Sequence, residues 1–255
     1  MTRLAGKNAV VIGEDSLTLA IASRYAAEGA SVTLLGDEAA LAALPSANLR
    51  SIAISGTNDA DDRAAITGAA GASLDILVLG AADIPEEKDW VSVSQLTVDR
   101  LRATEDSLVI RSLLALQACE AALRAGGNSS IIFLYSPAGG YSEGGWADHT
   151  IAYHARHGLM RAVAAEWGPV RANMLVPYAD TPGFQAFRRR NPEEVDYRVS
   201  VTGMKRLGDP LRDIGGAAVF LGSDDTQYVT GMMVYADGAA HLTMPTIETQ
   251  MAPAA

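Results

Sequence analysis

Short runs of apolar, mostly β-branched residues alternate with amphipathic stretches along almost the whole chain. Seven such runs read as strands: Asn8–Gly13, Ser31–Leu35, Leu49–Ile54, Asp75–Leu79, Ser130–Leu134, Ala172–Val176 and Met232–Tyr235. Their apolar residues are continuous rather than alternating, as expected of strands covered on both faces. Between them, apolar positions recur at helical spacing over Leu17–Glu28, Glu38–Leu44, Asp61–Ala70, Thr104–Arg124, Ala152–Glu166 and Leu211–Leu221. Gly29 follows the first of these as a helix C-cap. Strands alternating with helices predict a mainly parallel sheet with helices on both faces. Right-handed crossovers then give a single doubly wound, Rossmann-like α/β domain over residues 1–255. In such sheets ligands bind beyond the carboxyl ends of the strands. No internal repeat and no Pro/Gly/Ser linker divides the chain.

Composition narrows the function classes. The chain has 255 residues, 49% hydrophobic and 20% charged, enough to bury a large core. Its formal charge of −10 repels phosphate backbones and argues against nucleic acid as a partner. The single cysteine, Cys119, excludes an internal disulfide and a cysteine-built metal site. No run of about 18 apolar residues exists to span a membrane, and MTRLAGKNAVVIG lacks a signal pattern; the expected compartment is the cytoplasm. The 24 glycines suit a fold with many tight turns, and their positions bear on function.

Two segments carry a family likeness. The run RLGDPLRDIGGAAVFLGSDDTQYVTGMMVYADGA, Arg206–Ala239, resembles the C-terminal helix-and-strand signature of the short-chain dehydrogenase/reductase family. RAVAAEWGP followed by RANMLVP, Arg161–Pro177, is similar to another of its segments. The resemblance covers nearly the whole chain and implies hydride transfer between NAD(H) or NADP(H) and an alcohol or carbonyl. It also implies a substrate-loop region around 178–207.

The residues which that activity uses in the family are mostly replaced. The family loop T-G-x-x-x-G-x-G lets backbone N–H groups approach a pyrophosphate. Here its glycines fall on Ile12, Ser16 and Thr18, and the loop reads Gly13-Glu14-Asp15-Ser16. Glu14 and Asp15 put two negative charges where two phosphates belong. Gly36 stands where NAD-preferring members carry an Asp; the following Asp37 favours NAD over NADP if any nucleotide binds. Ser55 replaces the Asp that meets adenine, Gly80-Ala81-Ala82 follows Leu79 in place of Asn-Ala-Gly, and Tyr178 replaces a Gly beside the nicotinamide. The resemblance therefore implies no cofactor bound by this chain.

The family's Asn, Ser, Tyr and Lys are reduced to one. Ser136 holds the Ser position, ungapped counting puts His149 at the Tyr and Tyr153 at the Lys, and no Asn occurs in Thr104–Ser112. A register shifted by four makes Tyr153 the proton donor, with His157 at the Lys position and Arg156 as the nearby cation. Ser136 with His149 also has the composition of a nucleophile–base pair. His154 and His157 share a helix face near His149, but no second ligand segment supports a metal, and none is expected. Arg188-Arg189-Arg190 suits either a solvated face paired with Glu193 and Glu194 or an anionic substrate such as a CoA thioester.

Three functions follow. The first is a degenerate subunit, non-catalytic alone, that partners an active NAD-dependent paralogue or a second copy of itself in a dimer or four-subunit assembly. A hydroxyacyl-CoA dehydrogenase of the benzylsuccinate pathway is built in that way. The second is a non-redox enzyme similar to halohydrin dehalogenases, which lack the glycine loop and use Ser, Tyr and Arg. The third is an atypical NAD-dependent oxidoreductase.

Overall fold

The structure is a computed structural model and describes residues 2–36, 48–55, 60–81, 91–135 and 145–243. Seven strands form one parallel sheet in the order β3-β2-β1-β4-β5-β6-β7. They are β1 (Asn8–Ile12), β2 (Ser31–Gly36), β3 (Leu49–Ala53), β4 (Ile76–Leu79), β5 (Ser130–Leu134), β6 (Arg171–Pro177) and β7 (Met233–Ala236). All seven expected strands form, and no end moves by more than one residue. The expected helix Glu38–Leu44 lies outside the described residues.

The period of two along each strand sorts side chains between two cores. Val10 and Ile12 of β1, Leu77 and Leu79 of β4, and Ile131 and Phe133 of β5 face one core. Ala9 and Val11, Ile76 and Val78, and Ile132 and Leu134 face the other. The first core is covered by α2 (Ala60–Ala70), α4 (Arg111–Ala125) and α5 (Ala147–Glu166). The second is covered by α1 (Ser16–Ala27) and α8 (Gly215–Gly222). Gly29, at φ +92°, turns the chain out of α1; a Cβ there would stand 3.2 Å from Ala5 Cα.

Three helical segments depart from the sequence pattern. The expected single helix Thr104–Arg124 is α3 (Val98–Glu105), a π-helical turn over Asp106–Ile110, and α4. It starts early because the Thr97 hydroxyl caps it, accepting from Arg100 N–H at 3.2 Å. The expected Leu211–Leu221 helix likewise opens with a π-helical turn, Pro210–Ile214, capped by Asp209. The helix expected from Ala152 begins at Ala147. Its first turn, Ala-Asp-His-Thr, has no apolar period; ties from Asp148 to α3 hold it instead.

Residues 178–207 carry two helices that the apolar pattern does not announce, α6 (Pro182–Arg190) and α7 (Pro192–Val201). Both begin with Pro at the first helical position, where a missing N–H costs nothing. They enclose a small separate core of Tyr178, Phe184, Val195 and Ala240.

Candidate functional site

The strand order reverses between β1 and β4, so their carboxyl ends open the crevice where doubly wound sheets bind ligands. A cavity of about 310 Å³ lies there, walled by Ile12, Leu79 and Leu108 and edged by Asp15, Arg111 and Arg156.

The N-terminus of α1 points into this crevice. Its first N–H groups lack helical partners and are the natural anion site. Asp15 takes them: its buried carboxylate accepts from Leu17 N–H at 3.1 Å and from Thr18 N–H at 3.0 Å. The Thr18 hydroxyl also donates to it. Glu14, by contrast, is exposed. Thr18, in the place of the family's last loop glycine, is buried, and its volume is accommodated by glycines elsewhere. A Cβ on Gly80 would lie 2.7 Å from Thr18 Oγ1 and 2.8 Å from Ile12 O. A Cβ on Gly13 would lie 3.0 Å from the same hydroxyl. The requirement for glycine has moved from the loop to its neighbours. Ser55 is engaged by Asp62 of α2, which accepts from its N–H at 2.7 Å and its hydroxyl at 3.1 Å. Asp37 and Ala82 lie outside the described residues.

Helix α5 brings the sequence-predicted residues to one face. His149, Tyr153 and Arg156 stand at i, i+4 and i+7. Arg156 is 1% exposed and extends under the carboxyl ends of β4 and β5. It donates to Leu79 O at 2.9 Å, Gly80 O at 2.7 Å, Leu134 O at 2.7 Å and the Ser112 hydroxyl at 2.9 Å. Burial pulls its pKa down to about 10, against the charges of Tyr153 and Asp15, so the guanidinium stays charged at neutral pH. Tyr153 is fully buried, its ring 4.9 Å from that of Tyr135. Tyr135 in turn meets His154 Nδ1 through its hydroxyl at 3.3 Å, and burial, with Tyr235 adding to it, pushes it up to about 12. Ser136 lies outside the described residues, so its pairing with His149 has no geometry.

His149 has a partner that sequence reasoning missed. The buried Asp148 accepts from His149 N–H at 3.0 Å and faces its Nδ1 at 3.1 Å. Arg100 Nε donates to Asp148 at 2.8 Å and the Thr104 hydroxyl at 3.2 Å. Burial pushes the Asp148 carboxyl upward, but the bonds from Arg100 and His149 outweigh it and hold it at about 2. The unfolded carboxyl titrates near 3.8. The depressed pKa therefore stabilises the fold above pH 4, and that contribution is lost as pH falls toward 2. Urea midpoints measured from pH 5 to pH 2 should show about 1–2 kcal/mol from this group, less than the full shift because Arg100 is partly solvated. Asp148→Asn should flatten that part of the curve; an unchanged acid limb contradicts the assignment.

Among the described residues no three His, Cys, Asp or Glu gather as a metal site, and no helix is long and apolar enough to cross a membrane. The Tyr178 ring packs edge-on against Phe184 at 5.4 Å, within the core under α6 and α7. Arg188 pairs with Asp196 of α7 rather than with Glu193 or Glu194. Cys119 is buried, and burial pushes its thiol up to about 12, which makes it unreactive.

The sequence model of the family described as enoyl-(acyl carrier protein) reductase matches residues 11–241. The chain is 31% identical over 240 residues to short-chain dehydrogenase/reductase SDRA of Arabidopsis thaliana, covering 90% of this chain and 92% of the relative. It is 32% identical over 247 residues to galactitol 2-dehydrogenase (L-tagatose-forming) of Cereibacter sphaeroides, covering 92% and 95%. A solved structure from Beutenbergia cavernae with NADP bound at low occupancy matches with a TM-score of 0.83 and 26% identity, over 94% of this chain and 99% of that one. The seven-stranded sheet, its switch-point crevice and these full-length likenesses place the chain in the short-chain dehydrogenase/reductase family of oxidoreductases.

Proposed function

We propose that this chain carries out no hydride transfer of its own and serves as the partner subunit of an active NAD-dependent dehydrogenase of the same family. The observation that carries this reading is the Asp15 carboxylate on Leu17 and Thr18 N–H, the groups a pyrophosphate would need. Magnitudes decide the competition. A helix N-terminus favours an anion by about 0.3–2 kcal/mol. The Asp15 carboxylate facing a phosphate opposes it by about 1 kcal/mol at 4 Å in water and about 4 near a protein surface. Repulsion wins, and the residues present do not fit the dinucleotide.

The proton-transfer residues support the same reading. The family's Tyr acts beside a Lys, whose charge lowers the phenol pKa. Here Tyr153 is fully buried, and Arg156 directs its donors at three backbone carbonyls and Ser112. Neither register restores a phenol that can meet a substrate beside a cation. Relatives of this chain are named as dehydrogenases, so an active paralogue is the natural source of the missing chemistry. NAD then belongs to the partner, in a dimer or four-subunit cytoplasmic assembly.

Calorimetric titration tests this directly. The isolated chain should give no binding heat with NAD⁺ or NADP⁺ up to about 1 mM, the weak end of specific affinities. The complex recovered with an active paralogue should bind NAD⁺ at one site per active subunit. Micromolar binding by the isolated chain would overturn the reading.

A further inference from the structure

We propose that the pocket at the amino ends of β1, β2 and β3 is a second binding site, built around Arg50, for a small monocarboxylate with an apolar body. This goes beyond the subunit reading above and does not depend on it.

The pocket measures about 670 Å³, within the range of small-molecule sites, and opens to solvent. It lies at the opposite end of the strands from the switch-point crevice. Asn8 opens β1 in the pocket and Ile12 ends β1 in the crevice, a span of about 13 Å at the rise of a strand. The space follows from the sequence of α2 and its exit. Where that segment covers the ends of β2 and β3 it reads Gly68-Ala69-Ala70-Gly71-Ala72-Ser73, with no side chain larger than a serine. A Cβ on Gly68 would meet nothing within 4 Å.

Opposite these small residues the sheet presents a polar pair. Thr33 of β2 and Arg50 of β3 are register partners, on the face whose next residues, Leu35 and Ile52, meet the core under α2. Thr33 is buried, and its hydroxyl accepts from Arg50 Nε at 2.8 Å. That bond holds the guanidinium by one corner. Its two Nη groups meet no carboxylate and no carbonyl among the described residues, although acids outnumber bases 30 to 20 in the chain. The hydroxyls of Ser31 and Ser73 line the same pocket and likewise bond to no described residue.

These groups define the ligand. With Nε occupied, the Nη pair is a planar fork, the shape that takes a carboxylate through two parallel bonds. Serine hydroxyls can donate to the remaining lone pairs of the carboxylate. The rest of the pocket wall is apolar, with Ala69, Ala72 and Leu74 on the α2 side. A bare ion would leave that wall wet, whereas an apolar body attached to the carboxylate covers it. The carbonyl end of α2 lies on the same side, and its negative partial charge opposes a second anionic group there. The ligand is therefore a monoanion, with its charge on Arg50 and its apolar body beneath α2.

Octanoate titrated into the isolated full chain, without nucleotide, should bind with a dissociation constant of about 0.1–1 mM. It should shift the amide NMR signals of Ser31, Arg50 and Ser73 and leave those of Gly13 and Gly80, in the crevice, in place. Inorganic phosphate, which has no apolar body, and 1-octanol, which has no charge, should each bind about 10-fold more weakly or less. Arg50→Gln should weaken octanoate by about 10-fold or more, and Arg50→Lys, which keeps the charge without the fork, by less. Gly68→Leu should fill the open space and abolish binding. Its side chain meets no clash and Leu favours a helix over Gly, so the melting temperature should not fall, which separates loss of the site from loss of the fold. No octanoate binding up to about 10 mM, signals that move at the crevice instead, phosphate or octanol binding as tightly as octanoate, or binding that survives Arg50→Gln or Gly68→Leu overturns the proposal. Nucleotide titration of the same sample reports on the subunit reading separately.

Discussion

Replacing Arg156 by Leu should lower the thermal midpoint by about 10 °C. The side chain joins three segments: it donates to Leu79 and Gly80 at the end of β4, to Leu134 at the end of β5, and to Ser112 of α4. Leu, shorter than Arg, vacates the guanidinium's place and leaves buried acceptors without a donor, at about 1–3 kcal/mol each. Water entering the adjacent cavity relieves part of this, which brings the total to about 3–5 kcal/mol. A domain of this size shifts by about 2–4 °C per kcal/mol. Arg156→Lys keeps the charge but has a single nitrogen to reach four acceptors, so its loss should be intermediate. Differential scanning calorimetry at pH 7 separates the cases. A Leu variant within 2 °C of the parent chain would show that Arg156 is not the tie between these strands. The side chain that a shifted register offers as the cation is thus bound to the strand ends.

The sheet was legible in the sequence because its strands are buried on both faces, and seven continuous apolar runs have few other readings. The long helix was less so. Periodicity alone joined Thr104 to Arg124, because a π-helical turn is a local widening within a continuous helical run that apolar spacing does not mark. The cap at Thr97 and the polar first turn of α5 depend on partners distant in sequence, as in the Arg100–Asp148 bond, and local pattern carries no trace of such pairs. The site shows the same division. Loss of the loop glycines was plain from counting, and so were the two acids. What the acids do was not: Glu14 is exposed, while Asp15 turns inward to cap α1. Asp148 beside His149 was visible as a neighbour, yet its burial and its hold on the imidazole emerge only when α3 packs against α5. Arg156 appeared as a possible cation for a tyrosine, because spacing reports which residues share a face and not which carbonyls end beneath them.

Returning the phosphate loop toward glycine should open the crevice to a nucleotide. The variant Glu14→Ser, Asp15→Ser, Thr18→Gly removes both negative charges and empties the space between Gly13 and Gly80. Leu17 and Thr18 N–H then lose the Asp15 carboxylate and face the crevice. Ser at 15 can still cap the helix, so the cost in stability should stay near 1 kcal/mol. Removing the charge repulsion is worth several kcal/mol, or more than 100-fold in affinity. NAD⁺ binding by calorimetry should therefore appear in the range of about 0.1–1 mM. The same nucleotide should raise the melting temperature of the variant and leave that of the parent chain unmoved, because a ligand that binds only the folded state stabilises it. Asp15→Asn alone keeps an oxygen on the two N–H groups while removing one charge, and should gain little, since the amide still occupies the place of the phosphate. That contrast separates occupancy from repulsion. If the triple variant folds and binds no nucleotide, the loop is not what closes the site. If Asp15→Asn binds as well as the triple variant, charge alone closes it. In neither case should hydride transfer return, because Tyr153 stays buried and Arg156 stays bound to the strand ends.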